Sequence, residues 1–261
     1  MFREMSKGKI LGVGITLLTG AFYVAPARAA VIFGDVADRE LNEDNTFQAA
    51  TGATMRAGAS SSAPAGGRNA LVVFQLPDLG AVADPFQSAD LGLNLASVSG
   101  STPFNSDVYG LGLQSTATLV IGSGVLSTTR FYEGNAVDPN STLIQQDFTT
   151  PATNSAGFKN TNATGDTNLV AYLNSLYNNG AGANQFVVLR VNPDVDSGTG
   201  TIAGYNYSTA DVGNAGATTV GAGTNFDPVI TYTAVSVPEP GALALIGIAL
   251  APFLRRRRHN R

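Results

Sequence analysis

The chain of 261 residues has no cysteine, no tryptophan and a single histidine, His259. Without thiols there is no disulfide, no thiol nucleophile and no soft-metal site, so a folded body must be held by its core or by hard cations. His259 lies beyond the last apolar run, so the rest of the chain has no imidazole. A Ser-His-Asp triad and the histidine-ligated zinc hydrolases are thereby excluded. Positive charge is scarce in the middle of the chain. Residues 1–30 and 237–261 hold nine of the 15 Lys and Arg but two of the 19 Asp and Glu, which leaves 6 basic and 17 acidic groups between them, a net charge near −11. Such a surface repels nucleic acid and anionic lipid and attracts cations, so no nucleic-acid partner is expected.

Long apolar runs are confined to the two ends. The first has a basic start with Arg3, Lys7 and Lys9, an apolar stretch from Ile10 to Val24, and small residues at Ala25, Ala27, Ala29 and Ala30. These are the three zones of a secretory signal. Ala27 and Ala29 fill the two small-residue positions of an A-x-A site, which predicts cleavage after Ala29 and a signal peptide, formed as a helix, over residues 1–29. The alternative is an uncleaved anchor, for which the stretch is short. At the other end Val237-Pro238-Glu239-Pro240 precedes the apolar run Gly241 to Leu254 and the cluster Arg255-Arg256-Arg257-Arg258. As a helix that run covers about 21 Å of a hydrocarbon core about 30 Å thick. It inserts only with snorkelling arginines or a thinned bilayer, which suits a transient transmembrane segment over 241–254. Pro238 and Pro240 hold the preceding chain extended, the form a protease binds. Basic residues outside both apolar runs place both ends on the cytoplasmic side and the body across the membrane. A simple C-terminal anchor is the plainer alternative.

The order Pro-Glu-Pro, apolar run, arginine cluster resembles the PEP-CTERM sorting signal of bacterial surface and exopolysaccharide-associated proteins. That resemblance covers residues 235–261 and implies an exosortase-type membrane protease as partner, transient residence in the inner membrane, and delivery to the cell surface or beyond.

Between the ends, residues 30–234 fit one domain large enough to bury a core. Gly, Ser, Thr, Ala and Asn dominate, and short apolar runs alternate with turn signals, the pattern of an all-β domain. Strands are expected at Val31–Phe33, Ala70–Leu76, Val108–Leu113, Ala117–Ile121, Thr128–Tyr132, Phe186–Val191, Ile202–Tyr207 and Val229–Thr233. The run Leu71-Val72-Val73-Phe74 predicts a strand buried on both faces, ended by Pro77. Leu91, Leu93 and Leu95, alternating with Asp90, Gly92 and Asn94, predict one wet face. Thr51–Gly67 reads as an irregular loop and Asp35–Asn45 as an acidic loop or surface strand. One helix interrupts the strands: Asp166 or Thr167 caps three turns carrying Leu169, Tyr172, Leu173 and Leu176, stopped at Asn179-Gly180.

The segments Arg68 to Leu76, Ser88-Ala89-Asp90-Leu91-Gly92-Leu93, Asp107-Val108-Tyr109, the helix before Phe186, and Phe226 to Tyr232 follow the order of the DNRLRE family of extracellular domains. Tyr172 stands where that family has a tryptophan. The resemblance implies a β-sandwich or jelly-roll-like body related to carbohydrate-binding modules, and fold alone does not fix a function.

Few residues point to chemistry. Asp194 and Asp196, two carboxylates ahead of a glycine turn, are a candidate calcium pair, although the bidentate glutamate of an EF-hand is missing because Tyr205 occupies its place. Otherwise they form a solvated turn, and no other cofactor is expected. Asp35, Asp38, Glu40, Glu43 and Asp44 form a second acidic cluster, by default a solvated face. Tyr109, Tyr132, Tyr205 and Tyr207 either fill the core or stack on sugar rings. The reading that results is a non-enzymatic, surface-sorted matrix protein that is structural or carbohydrate-associated. Its alternatives are an adhesin or ice-binding protein, marked by a flat threonine-rich face, and a glycoside hydrolase built on a carboxylate pair in a cleft.

Overall fold

The computed structural model describes residues 29–34, 38–48, 54–59, 66–80, 82–101, 104–127, 131, 132, 134, 136–180, 185–195, 202–209 and 226–235. The helices expected for the N-terminal signal and for 241–254 lie outside the described residues, and so do Ala27, Asp196, Val237 to Pro240 and Arg255 to Arg258. No helix among the described residues is long and apolar enough to cross a membrane.

The body is all-β with one helix. The strands are β1 (Ala29–Phe33), β2 (Arg39–Asn42), β3 (Thr54–Ala59), β4 (Gly67–Gln75), β5 (Phe86–Ser99), β6 (Ser106–Gln114), β7 (Thr142–Thr149), β8 (Gly157–Asn160), β9 (Phe186–Pro193), β10 (Ala203–Ser208) and β11 (Val229–Ala234). The helix α1 (Ala163–Asn178) lies between β8 and β9, and one 3-10 turn occupies Gly124–Leu126. The sheet runs β1-β11-β5-β10-β3-β4-β9-β6-β7, with β2 added to β4 and β8 to β5. All of these pairings are antiparallel. The path curls on itself: Gly34, just past β1, bridges Phe74 in β4. Ile32, Leu91, Leu93, Leu95 and Ile230 from one half therefore share a core with Val72, Phe74, Val108, Ile144, Val187 and Leu189 from the other. This is the sandwich-like arrangement expected from the sequence.

β4 explains how the layers are built. Ala70, Val72 and Phe74 face the main core, while Leu71 and Val73 face a second cluster with Leu41, Leu111, Leu119, Val125, Leu126 and Val188. The unbroken apolar run is thus covered on both sides, at about 1.5–3 kcal/mol of favourable transfer for each large side chain. Leu169, Tyr172, Leu173 and Tyr177 of α1 join the main core.

Several local expectations differ. Thr51–Gly67 is not a loop throughout, because β3 occupies its centre and Ala57 and Ala59 are fully buried. Its small residues are what let β10 lie close: a Cβ at Gly58 would stand 2.2 Å from the carbonyl oxygen of Ala203. Between Leu91 and Leu95, β5 is covered on both faces, and Asn94 donates to Ser208 in the interior. Ala117–Ile121 forms no strand, although Leu119 is buried. β7 and β8 carry weak apolar patterns and gave no strand signal. Finally, α1 starts at Ala163 because Asn162 caps it, its side chain accepting from the N–H groups of Thr164 and Gly165. Asp166 instead binds the Thr161 hydroxyl.

A candidate metal centre and the sorting tail

Three adjacent strands bring Asp107, Asp147 and Asp194 together, each offering a carboxylate oxygen within 4.8 Å of the others. Asp107 stands in β6 opposite Asn192 of β9, and Asp194 follows directly on β9. Asp147 reaches them through an irregularity in β7: between Ser106 and Val108 of β6 the partner advances from Thr149 to Gln145. Such a bulge re-aims the residues it contains. Asp147 takes a φ of 56°, in the left-handed region that aspartate tolerates better than most residues. Its N–H donates to Asp107 Oδ1 at 2.8 Å, and its own Oδ1 accepts from Asn105 Nδ2 at 2.7 Å. The Asp194 N–H donates to the Asn105 carbonyl at 2.8 Å.

The electrostatics oppose three charges at one point. Burial, then the charges of Asp107 and Asp147, push the Asp194 carboxyl up to about 7. Burial also raises Asp107, against the N–H of Asp147 that lowers it. The buried Oδ1 of Asp194 has no donor among the described residues. A proton or a hard cation relieves the repulsion, and oxygen-only donors of this kind suit calcium or magnesium. A sugar cannot use the trio as readily, because Asp107 is only 2% exposed and both of its oxygens accept bonds from within the protein, from Asp147 N–H and the Tyr109 hydroxyl.

Of the expected calcium pair, Asp194 therefore belongs to a carboxylate group, and its companions there are Asp107 and Asp147. Neither companion is marked as a site in the sequence, because they are distant in the chain and only the register of β6, β7 and β9 joins them. Asp35 lies outside the described residues, and the acidic residues that follow it use their carboxylates on the protein itself: Asp38 accepts from the Val73 N–H, Glu40 pairs with Arg68 and accepts from Arg56 N–H, and Glu43 accepts from Gly67 N–H. Tyr109, Tyr205 and Tyr207 are buried, so none of them offers a ring to a sugar, whereas Tyr132 is half-buried. The exposed strand threonines Thr54, Thr142 and Thr231 lie on β3, β7 and β11, which are not neighbours, so they form no threonine ladder among the described residues.

The opposite functional element begins where the described body stops. β11 ends at Ala234, and the Val235 N–H is still held by the Pro85 carbonyl at 2.8 Å. Beside it runs β1, with Ala29 opposite Thr233, so the chain enters and leaves the body at one corner of the sheet. No curated protein matches the chain. Residues 236–258 match the model of the PEP-CTERM protein-sorting motif, starting at the residue after Val235, and this motif marks the chain as an exported protein sorted to the bacterial cell surface.

Proposed function

We propose that this protein is a non-enzymatic component of the extracellular or exopolysaccharide matrix, delivered by its tail and acting through its β-sandwich body as a structural or carbohydrate-associated module. The sorting motif at 236–258 carries this reading. It implies an exosortase-type membrane protease as processing partner and a transient stay in the inner membrane. The body supports the same reading in being all-β with a single helix, as the resemblance to DNRLRE-type extracellular domains implies, and its charge near −11 suits a hydrated, cation-rich matrix. Calcium is the ligand we assign to Asp107, Asp147 and Asp194, at the millimolar levels that loosely built extracellular sites bind.

Replacing Pro238-Glu239-Pro240 by alanines in the full chain tests the delivery. The variant is expected to stay uncleaved in the membrane fraction, while the unaltered chain is processed and co-sediments with polysaccharide. Normal processing of the variant would sink the sorting reading. Processed protein that never associates with polysaccharide would leave sorting intact and remove the carbohydrate-associated role.

A further inference from the structure

The expected signal cleavage site and the first strand of the body share residues. Cleavage after Ala29 breaks the bond to Ala30, and both residues belong to β1, opposite Thr233 and Tyr232 of β11. The hydrogen-bond phase of this ladder follows from its far end, where the Gly34 N–H donates to the Pro228 carbonyl at 2.7 Å. Bonded and non-bonded pairs alternate in an antiparallel ladder. Counting back from the bonded pair 34/228, the pair 30/232 is bonded and the pairs 29/233 and 31/231 are not. The N–H of the scissile amide, which belongs to Ala30, therefore points at the Tyr232 carbonyl.

A peptidase that reads a backbone needs it extended and free of other partners, because it adds its own hydrogen bonds to the same groups. Pairing with β11 and cleavage thus compete for one amide. We propose that the N-terminal cut must precede the docking of β1, so that β1 is a strap closed over β11 after hydrolysis, and a precursor already docked is not a substrate. The inference rests on residues 1–29 being a cleaved signal. Hydrolysis adds one water across the Ala29–Ala30 bond, leaving a carboxylate on Ala29 and an ammonium on Ala30. The new ammonium keeps a proton to donate to Tyr232, so the cut costs the strap none of its ladder bonds. Docking then buries Ile32 to 8% exposure, packs Ala30 on the main core and brings Gly34 to Phe74. The same step covers the free edge of β11, the strand from which the sorting tail departs.

Val31 and Thr231 give a direct test. They are an exposed, non-bonded pair, the geometry in which opposing Cα atoms come close enough for a disulfide, and the chain has no other cysteine. The full-length precursor carrying Val31→Cys with Thr231→Cys is purified in detergent, oxidised or kept reduced, and given signal peptidase, and the product is sequenced from its N-terminus. The reduced form is expected to be cut to a chain beginning at Ala30. The oxidised form is expected to be cut about tenfold more slowly or less, because the cross-link removes the local opening that exposes the bond, and dithiothreitol should restore the rate. Val31→Cys alone should be cut equally under both conditions. Equal rates for the oxidised and reduced double variant would overturn the order of events. Failure of the cross-link to form would overturn the pairing. A product beginning elsewhere than Ala30 would overturn the cleavage site itself, which N-terminal sequencing tells apart from the other two.

Discussion

Arg190 is the largest side chain that β9 buries completely. Its guanidinium donates to Asp138 Oδ2 at 2.8 Å and lies 5.0 Å from the centre of the Tyr109 ring and 5.6 Å from that of Tyr132. A cation taken out of water is tolerated only with a charged partner, and removing that partner costs about 3–5 kcal/mol. Asp138→Asn is expected to lower the urea unfolding free energy by that amount, and a loss under about 1 kcal/mol would show that the rings alone can hold Arg190. Burial pushes the Asp138 carboxyl up, but bonds from Ser141, Asn140 and Arg190 outweigh it and hold the group below the usual carboxylate range. Its contribution to stability is therefore complete above the unfolded value near 3.9 and fades as pH falls through the lower folded value. The asparagine variant should lack that part of the acid limb in a pH series of melting curves. Gly110 is a steric counterpart: a Cβ there would stand 2.3 Å from Tyr172 Cζ, while the Tyr172 hydroxyl accepts from Gly112 N–H at 2.8 Å. Gly110→Ala should cost about 1–3 kcal/mol, read from the shift in urea midpoint at unchanged slope, because Tyr172 cannot move without losing that bond.

At the level of elements, the irregular part of β7 carries the candidate chemistry. An unbroken β7 would keep Asp147 in the ladder, and the bulge instead turns its backbone N–H onto Asp107. Millimolar calcium at pH 8 is expected to raise the melting temperature of the processed protein and to do so much less at pH 5, where a proton occupies the Asp194 carboxyl that burial and its neighbours push to about 7. Asp194→Asn should abolish the calcium shift while making the calcium-free protein no less stable at pH 8, because it removes one of three crowded charges. An undiminished shift in that variant would place calcium elsewhere. Asp194 is legible in the sequence as half of a candidate calcium pair with Asp196 ahead of a glycine turn, but Asp107 and Asp147 are not, since nothing local in Asp107-Val108-Tyr109 or Gln145-Gln146-Asp147 announces a shared site. The strong elements were legible for a different reason. β4, β9 and the apolar face of α1 are defined by dense apolar runs or spacing, whereas β3, made of Thr, Met, Arg, Ala and Gly, is a strand only because β10 and β4 lie close on either side.

At the level of the whole molecule, the pairing of β1 with β11 joins the two ends of the body at one corner. A disulfide between Val31→Cys and Thr231→Cys in the processed protein would close a loop of roughly 200 residues, worth about 5 kcal/mol by the chain-entropy argument. That should raise the melting temperature by about 10–20 °C for a body of this size. No gain on oxidation would mean that β1 is already detached at the temperature where the rest unfolds.

The sequence alone determined the export and sorting of this protein, because signals that a translocation or sorting machine reads must be contiguous and are written in the order of residues. It also determined the all-β class, because period and turn chemistry are local. Only the tertiary structure decided which acids meet, which tyrosines are buried, and that β1 lies against β11. Those outcomes depend on register between strands far apart in the chain, and register is fixed by the packing of the whole core.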